Sequence, residues 1–468
     1  MNRKEFLKLT TLTSLGLVLH PLMNFANPFV VGSSDENVTF YNNKDTEYNA
    51  LRSGFNSRIN KYPAVIAVCK TTKGVQKAIL YAKEFKLPIA IKSGGHSMEG
   101  FSCGNSGMQI IVSNLNKIEW INSYKIKVGP GVLLKDIYEG LIPKNRILPG
   151  GSCATVAIGG LSLGGGYGLM SRLFGLTCDS LEEVTMVDGN GKILSSKNDK
   201  DLLWACKGGG NGSFGVITEM FFKVHNRPTY MSSYRFRSFN VSIEKGKEIL
   251  KTWFDESKKL PNACFSTCLF SGDTVYILLT NVSKPTPIVQ QFITKMKSLN
   301  DKFTSNFQQP LGTALKNYYG QQHPVLFKNA SSGLYKSFEE IEPIIDSILD
   351  IVFNTKGMIY QFNTLGGAIQ TPLFENTSSF PHREYSFFTE LQTYWESPKE
   401  EEKLLKRFEE VQQIVAKQGI TAQYANYPDI NFANYENSYY SKNLPRLKLL
   451  KKKYDVDNNI RHEQSIKS

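Results

Sequence analysis

Two glycine-rich turns hold the residues of this 468-residue chain whose types and spacing suit chemistry. In Lys92-Ser93-Gly94-Gly95-His96-Ser97 a glycine pair leads straight into an imidazole, and from Arg146 to Ser180 nine glycines accompany an embedded thiol, Cys153. Successive backbone amides exposed in such turns form a nest for an anion such as a diphosphate. Glycine, lacking a Cβ, also lets the chain press against a flat ligand. A third cluster, Gly210-x-Gly212-x-x-Gly215, formally matches the dinucleotide fingerprint. That motif should follow a strand and open a helix, whereas here a strand over 214–217 follows it, which excludes a nicotinamide-binding doubly wound fold. The absence of GxxxxGK[ST] excludes a P-loop.

The elements that must position these turns are legible from periodicity. Residues 64–69 read as a strand, and a helix capped by Thr71 or Thr72 runs to about Phe85 with Val75, Ile79 and Ala82 at helical spacing. A second strand over 87–91 then delivers the His96 turn. Strands at 109–112 and 125–128, a helix over 134–141, and a hairpin of 181–187 with 192–195 follow. Beyond Arg227 the texture changes. Strands at 232–239, 274–280, 358–363 and 385–394 alternate with helices at 243–258, 287–299, 339–352 and 399–417, which predicts a sheet with helices on one face. The fold class is α+β, with boundaries near Arg227 and Gly419 and an aromatic tail expected to lie against another part of the chain.

Composition narrows the function. The formal net charge is +13, yet the excess is spread out except at Arg446 to Lys453, where interleaved leucines predict an amphipathic helix with a solvated basic face. No nucleic-acid module accompanies it, so nucleic acid is not an expected partner. The seven cysteines contain no CxxC pair and the six histidines do not cluster, so no metal site is expected. Residues 1–27 read as an export signal, directing the protein to the periplasm or the exterior without a stable membrane span. Within them Arg3-Lys4-Glu5-Phe6-Leu7-Lys8 resembles a twin-arginine signal with lysine in place of one arginine. The oligomeric state is left open.

From about Tyr62 to Ile466 the sequence resembles the berberine-bridge-enzyme-like flavoproteins of the vanillyl-alcohol-oxidase superfamily. The resemblance rests on Ser93 to Ser97, Gly151-Ser-Cys-Ala-Thr-Val156, Gly164-Gly-Gly-Tyr-Gly168, Phe380-Pro-His-Arg383, Tyr424-Ala-Asn-Tyr-Pro-Asp429 and the closing Gln464-Ser-Ile466. It implies a PCMH-type, two-part FAD-binding domain (37–227 with the returning segment 418–468) and a substrate domain (228–417) of antiparallel sheet covered by helices. It also implies FAD held at two points, with His96 bonded to the flavin 8α-methyl and Cys153 to flavin C6. The residues it places at the cofactor are Ser93, Gly94, Gly95, His96, Ser97, Cys153, Thr155, Val156, Gly159, Gly160, Gly164, Tyr167, Gly168, Gly215, Val216, Ile217, Asn426 and Tyr427.

The implied reaction is hydride transfer from an alcohol or sugar C–H to the flavin, with dioxygen as acceptor. Hydride loss must be accompanied by removal of the adjoining O–H proton, so a base is required. The resemblance offers Glu390, Tyr427, Tyr167 and, as a fallback, Tyr424. Strand alternation places Phe388, Glu390 and Gln392 on one face, and a phenol would need Lys or Arg neighbours to lower its pKa before serving as a base. Val156 stands where oxygen-reactive members tend to have valine. Leu161 and Met98 stand where plant members often carry a histidine and some members a tyrosine. A dehydrogenase with another acceptor and a flavin-carrying binding protein are the alternative readings.

Overall fold

The computed structural model describes residues 36–467, so the expected export segment, 1–27, lies outside the described residues. The first sheet contains β1 (Val38–Tyr41), β2 (Val65–Cys69), β3 (Ile89–Lys92) and β4 (Met108–Ile111) in the order β1-β2-β4-β3. Both β2 and β3 pair with β4 in parallel. Every residue of β2, Val-Ile-Ala-Val-Cys, is buried, as a strand covered on both faces requires. The helix Thr72–Glu84 that links β2 to β3 starts where the Thr71 hydroxyl accepts from Gly74 N. It packs so closely that a Cβ on Gly74 would lie 2.0 Å from Asn37 O.

A second sheet contains β5 (Ile118–Asn122), β6 (Lys125–Val128), β8 (Leu181–Asp188), β9 (Ile193–Ser195) and β10 (Gly215–Lys223), in the order β5-β6-β10-β8-β9. The short β7 (Arg146–Ile147) pairs with β11 (His225–Asn226). The third sheet draws all seven strands from residues 230–395: β12 (Tyr230–Ser238), β13 (Cys264–Ser271), β14 (Thr274–Asn281), β15 (Lys302–Pro310), β16 (Leu326–Tyr335), β17 (Met358–Thr364) and β18 (Phe387–Trp395). Its order is β15-β12-β14-β13-β17-β18-β16, antiparallel throughout. The helices Ile243–Ser257, Pro287–Leu299, Ile345–Phe353 and Glu401–Lys417 share an apolar core with it. The expected α+β class and the one-sided helical cover are what form. Among the described residues no helix is long and apolar enough to cross a membrane.

One expectation is corrected and one is met. The helix expected over 339–352 is instead a single turn, Phe338–Glu340, followed by Ile345–Phe353, because Pro343 lacks an N–H and disfavours helical geometry before it. The basic run forms the expected amphipathic helix, Leu444–Tyr454: Leu444, Leu447, Leu450 and Tyr454 are buried, while Arg446, Lys452 and Lys453 are exposed. Arg446 pairs with Asp201, Lys448 with Glu436 and Lys453 with Asp199, while Lys451 is buried against Asp455 and the carbonyls of Ser213 and Ile460.

A buried ion cluster joins the separate parts of the chain. Lys328 of β16 lies 2.7 Å from Glu99, beside the His96 turn, and 2.8 Å from Asp429 in the tail. Arg58 meets the other oxygen of Glu99 at 2.6 Å, and Gln412 donates to Asp429. Removing the central cation leaves Asp429 buried without a cation and Glu99 with Arg58 alone. Lys328→Met should therefore lower stability by about 3–5 kcal/mol, read by denaturant unfolding; a loss below about 1 kcal/mol would mean that the cluster is not a strut.

Candidate active site

A cavity of about 1240 Å³ lies between the two glycine turns, the polar face of the third sheet and the tail. Pockets for single small ligands run to roughly 300–1,000 Å³, so there is room for a large ligand and a small one beside it. The His96 turn forms one wall. Among the described residues the backbone amides of Gly94, Gly95, His96 and Ser97 donate to no protein acceptor. Four such N–H groups on a cavity wall suit an anion. A Cβ on Gly94 would lie 2.7 Å from Ala157 N, so glycine is what lets this turn abut the Cys153 loop.

Ser93, Gly94, Gly95, His96, Ser97, Cys153, Val156, Gly159, Gly160, Tyr167, Gly168, Gly215, Ile217, Asn426 and Tyr427 all line the cavity. Three expected cofactor contacts do not. Thr155 lies behind His96, its hydroxyl 2.9 Å from Nε2. Gly164 packs against the tail, where a Cβ would fall 2.0 Å from Asn426 Oδ1. Val216 alternates away from Gly215 and Ile217 into the core of the first sheet. Leu161 and Met98 are on the wall, so these positions offer apolar contact and neither an imidazole nor a phenol.

The two candidate nucleophiles differ in readiness. Burial lowers the His96 pKa to about 4, so its ring is neutral at physiological pH, and it stacks on Phe55 at 4.1 Å. Cys153 opens into the cavity, yet enclosure by protein and then the nearby Glu390 charge push its thiol up. Its reactive thiolate is correspondingly scarce near neutrality.

Glu390 sits on β18 facing the cavity, only 8% exposed. Asn329 and Gln392 donate to its Oε2 at 3.3 and 3.4 Å, and Asn363 to Oε1 at 3.2 Å. Burial pushes the carboxyl up to about 7, against the hydrogen bonds from Asn329 and Asn363, which lower it. The expected shared face is present: Gln392 lines the cavity, Phe388 packs on Tyr167 and Tyr427, and Phe387 and Leu391 face the helices.

The tyrosines divide. Tyr427 lines the cavity, but among the described residues no cation is seen to lower its pKa as a phenolate base would need; burial, then Glu390, raise it well above the ordinary value. Its phenol is thus a hydrogen-bond donor at neutral pH. Tyr167 commits its hydroxyl to Thr364 O. Tyr424 is not on the wall: its hydroxyl accepts from Gly166 N at 2.9 Å and from Asn426 at 3.0 Å, bracing the glycine turn. Asn426 also donates to Leu161 O at 2.9 Å.

Sequence reading missed the carboxamides Asn329, Gln361 and Asn363 around Glu390 and the aromatic pair Phe327 and Tyr394, stacked at 5.8 Å. Alternation of Gln361 with Asn363, and of Glu390 with Gln392, was the available signal.

Residues 63–197 match the family model described as an FAD binding domain, and 423–467 the one described as berberine and berberine like. An uncharacterized FAD-linked oxidoreductase of Bacillus subtilis is 30% identical over 435 residues, covering 90% of this chain and 95% of that protein. A BBE-like protein of Physcomitrella patens shares the fold with a TM-score of 0.83 at 22% identity, over 92% of this chain and 97% of the other. A xylooligosaccharide oxidase from Myceliophthora thermophila, solved with xylobiose, does so with 0.80 at 21%, over the same shares. The orphan amides and the size of the cavity fit FAD.

Because the folded state raises the Glu390 pKa from 4.5 to about 7, folding prefers the protonated acid, and stability is lost as pH rises through 7. Glu390→Gln should then stabilise the protein by about 3 kcal/mol at pH 8 and by little at pH 4, read by unfolding at both pH values. An equal effect at the two would refute the raised pKa.

Proposed function

We propose, for a chain that belongs to the berberine-bridge-enzyme-like FAD-linked oxidoreductases, an exported oxidase that takes a hydride from a carbohydrate or other alcohol and passes the electrons to dioxygen, giving hydrogen peroxide. The observation that carries this reading is Glu390, a buried carboxyl tuned near neutrality on a cavity wall that faces the two glycine turns. FAD, when bound, supplies the hydride acceptor. Residues 37–227 with 418–468 hold it, and 228–417 cover the substrate.

Within this reading Glu390 takes the substrate O–H proton as the hydride leaves. Asn329, Asn363 and Gln392 aim its oxygens, and Tyr427 donates a hydrogen bond to the substrate. The Phe327 and Tyr394 rings beside a carboxamide-rich wall suit a sugar, with an apolar face and a hydroxyl rim. The fold shared with a xylooligosaccharide oxidase supports that choice. His96 and Cys153 anchor the flavin covalently, leaving the cavity free to admit a bulky substrate. Val156 on the wall favours access by dioxygen; a dehydrogenase is the second reading.

Anaerobic flavin bleaching by xylobiose and related oligosaccharides tests the substrate class. With a bleaching substrate, kcat/KM should rise with pH through about 7, and Glu390→Gln should lower it about 10²- to 10⁴-fold; a flat profile or an active variant would remove Glu390 as the base. Val156→Leu should slow reoxidation by dioxygen about tenfold without slowing an artificial acceptor, and equal rates with both would favour the dehydrogenase. Acid-precipitated protein should stay yellow in Cys153→Ala and, to a smaller extent, in His96→Ala, but lose all colour in the double variant. Colourless wild-type precipitate would overturn covalent attachment.

A further inference from the structure

Thr155 is two residues from Cys153, yet its hydroxyl reaches the other candidate attachment point, 2.9 Å from His96 Nε2. The imidazole is fixed on two sides. Phe55 stacks on its face at 4.1 Å with the planes 20° apart, and Phe55 is itself held by bonds to Gly95 O and from Val325 N. Thr155 takes the Nε2 edge, and among the described residues no protein group takes Nδ1. A neutral imidazole carries one N–H and one lone pair, and whichever nitrogen is protonated cannot attack.

We infer that Thr155 is a positioning residue that holds His96 in the tautomer with Nε2 protonated, so that Nδ1 forms the bond to the flavin. This rests on the histidyl link proposed above. The C8α–Nδ1 bond forms, and one C8α hydrogen and the Nε2 hydrogen leave as protons. Both protons and two electrons end on the isoalloxazine, which is thereby reduced, and dioxygen then takes two electrons and two protons as hydrogen peroxide. Positive charge builds on the imidazole as the bond forms, which strengthens the Nε2–H to Thr155 hydrogen bond in the transition state. The hydroxyl then offers the departing Nε2 proton its first acceptor.

The test uses the Cys153→Ala protein, in which only the histidyl bond can keep flavin through acid denaturation. Cells are grown with limiting riboflavin, FAD is added to the purified protein, and the acid-stable fraction of total bound flavin is followed with time, with the mass of the His96 peptide as a second readout. Adding Thr155→Val should slow bond formation about 10- to 100-fold, the range for one hydrogen bond to a group that becomes charged. Thr155→Ser should restore the rate. A Thr155→Val rate equal to that of the parent, or a Thr155→Ser rate as slow as Thr155→Val, would overturn the role of Thr155 while leaving the link intact. No His96 adduct in the Cys153→Ala parent would instead overturn the link itself, and the inference with it.

Discussion

The architecture turns on one buried ammonium. Lys328 lies between Glu99 and Asp429, and each of the three comes from a different part of the chain: the third sheet, the His96 turn and the tail. Extracting three charged groups from water is costly, and their mutual attraction offsets that cost only when the geometry is right. The cluster is therefore a poor source of net stability and a strong selector of arrangement. Any slippage of the sheet against the glycine turns would strand a charge. Since the cavity lies between these same parts, the ions tie together the walls that carry Glu390, His96 and Cys153.

The tail does related work with neutral groups. Asn426 and Tyr424 hold Leu161 O and Gly166 N, so the glycine turn keeps a shape that its own sequence would not enforce. Gly165 and Gly166 both have positive φ, +125° and +87°, where side chains are strained. A flexible segment is thus immobilised by partners more than 250 residues away, and the cavity wall is rigid where glycine alone would leave it loose.

Elements with strong periodicity were legible in the sequence, among them β2, the helix Thr72–Glu84 and the alternating face of β18. β16 was not. Its sequence, Leu-Phe-Lys-Asn-Ala-Ser-Ser-Gly-Leu-Tyr, is too polar to read as a buried strand, although nearly every residue in it is buried. The polarity has a reason: Lys328 enters the ion cluster and Asn329 reaches Glu390. The signal was hidden by the residues that matter most to the site. The basic helix was legible, with Leu444, Leu447 and Leu450 buried and Arg446, Lys452 and Lys453 exposed, whereas its pairing with carboxylates distant in sequence, as with Arg446 and Asp201, was not. Roles borrowed for the tyrosines were separated by burial, which spacing does not reveal.

Because Asn426 and Tyr427 complete the cavity wall, and Tyr435 and Lys451 anchor the segment behind it to Ser465 and Ser213, the site depends on a segment far along the chain from the glycine turns. A nascent polypeptide emerging from the ribosome can assemble the parallel sheet and its helix early, since those contacts are local. It cannot enclose a cofactor until the residues beyond 420 have been released and have folded back. Enclosure of the flavin therefore waits for that segment, and a chain truncated before it would fold in part and leave the cavity wall open.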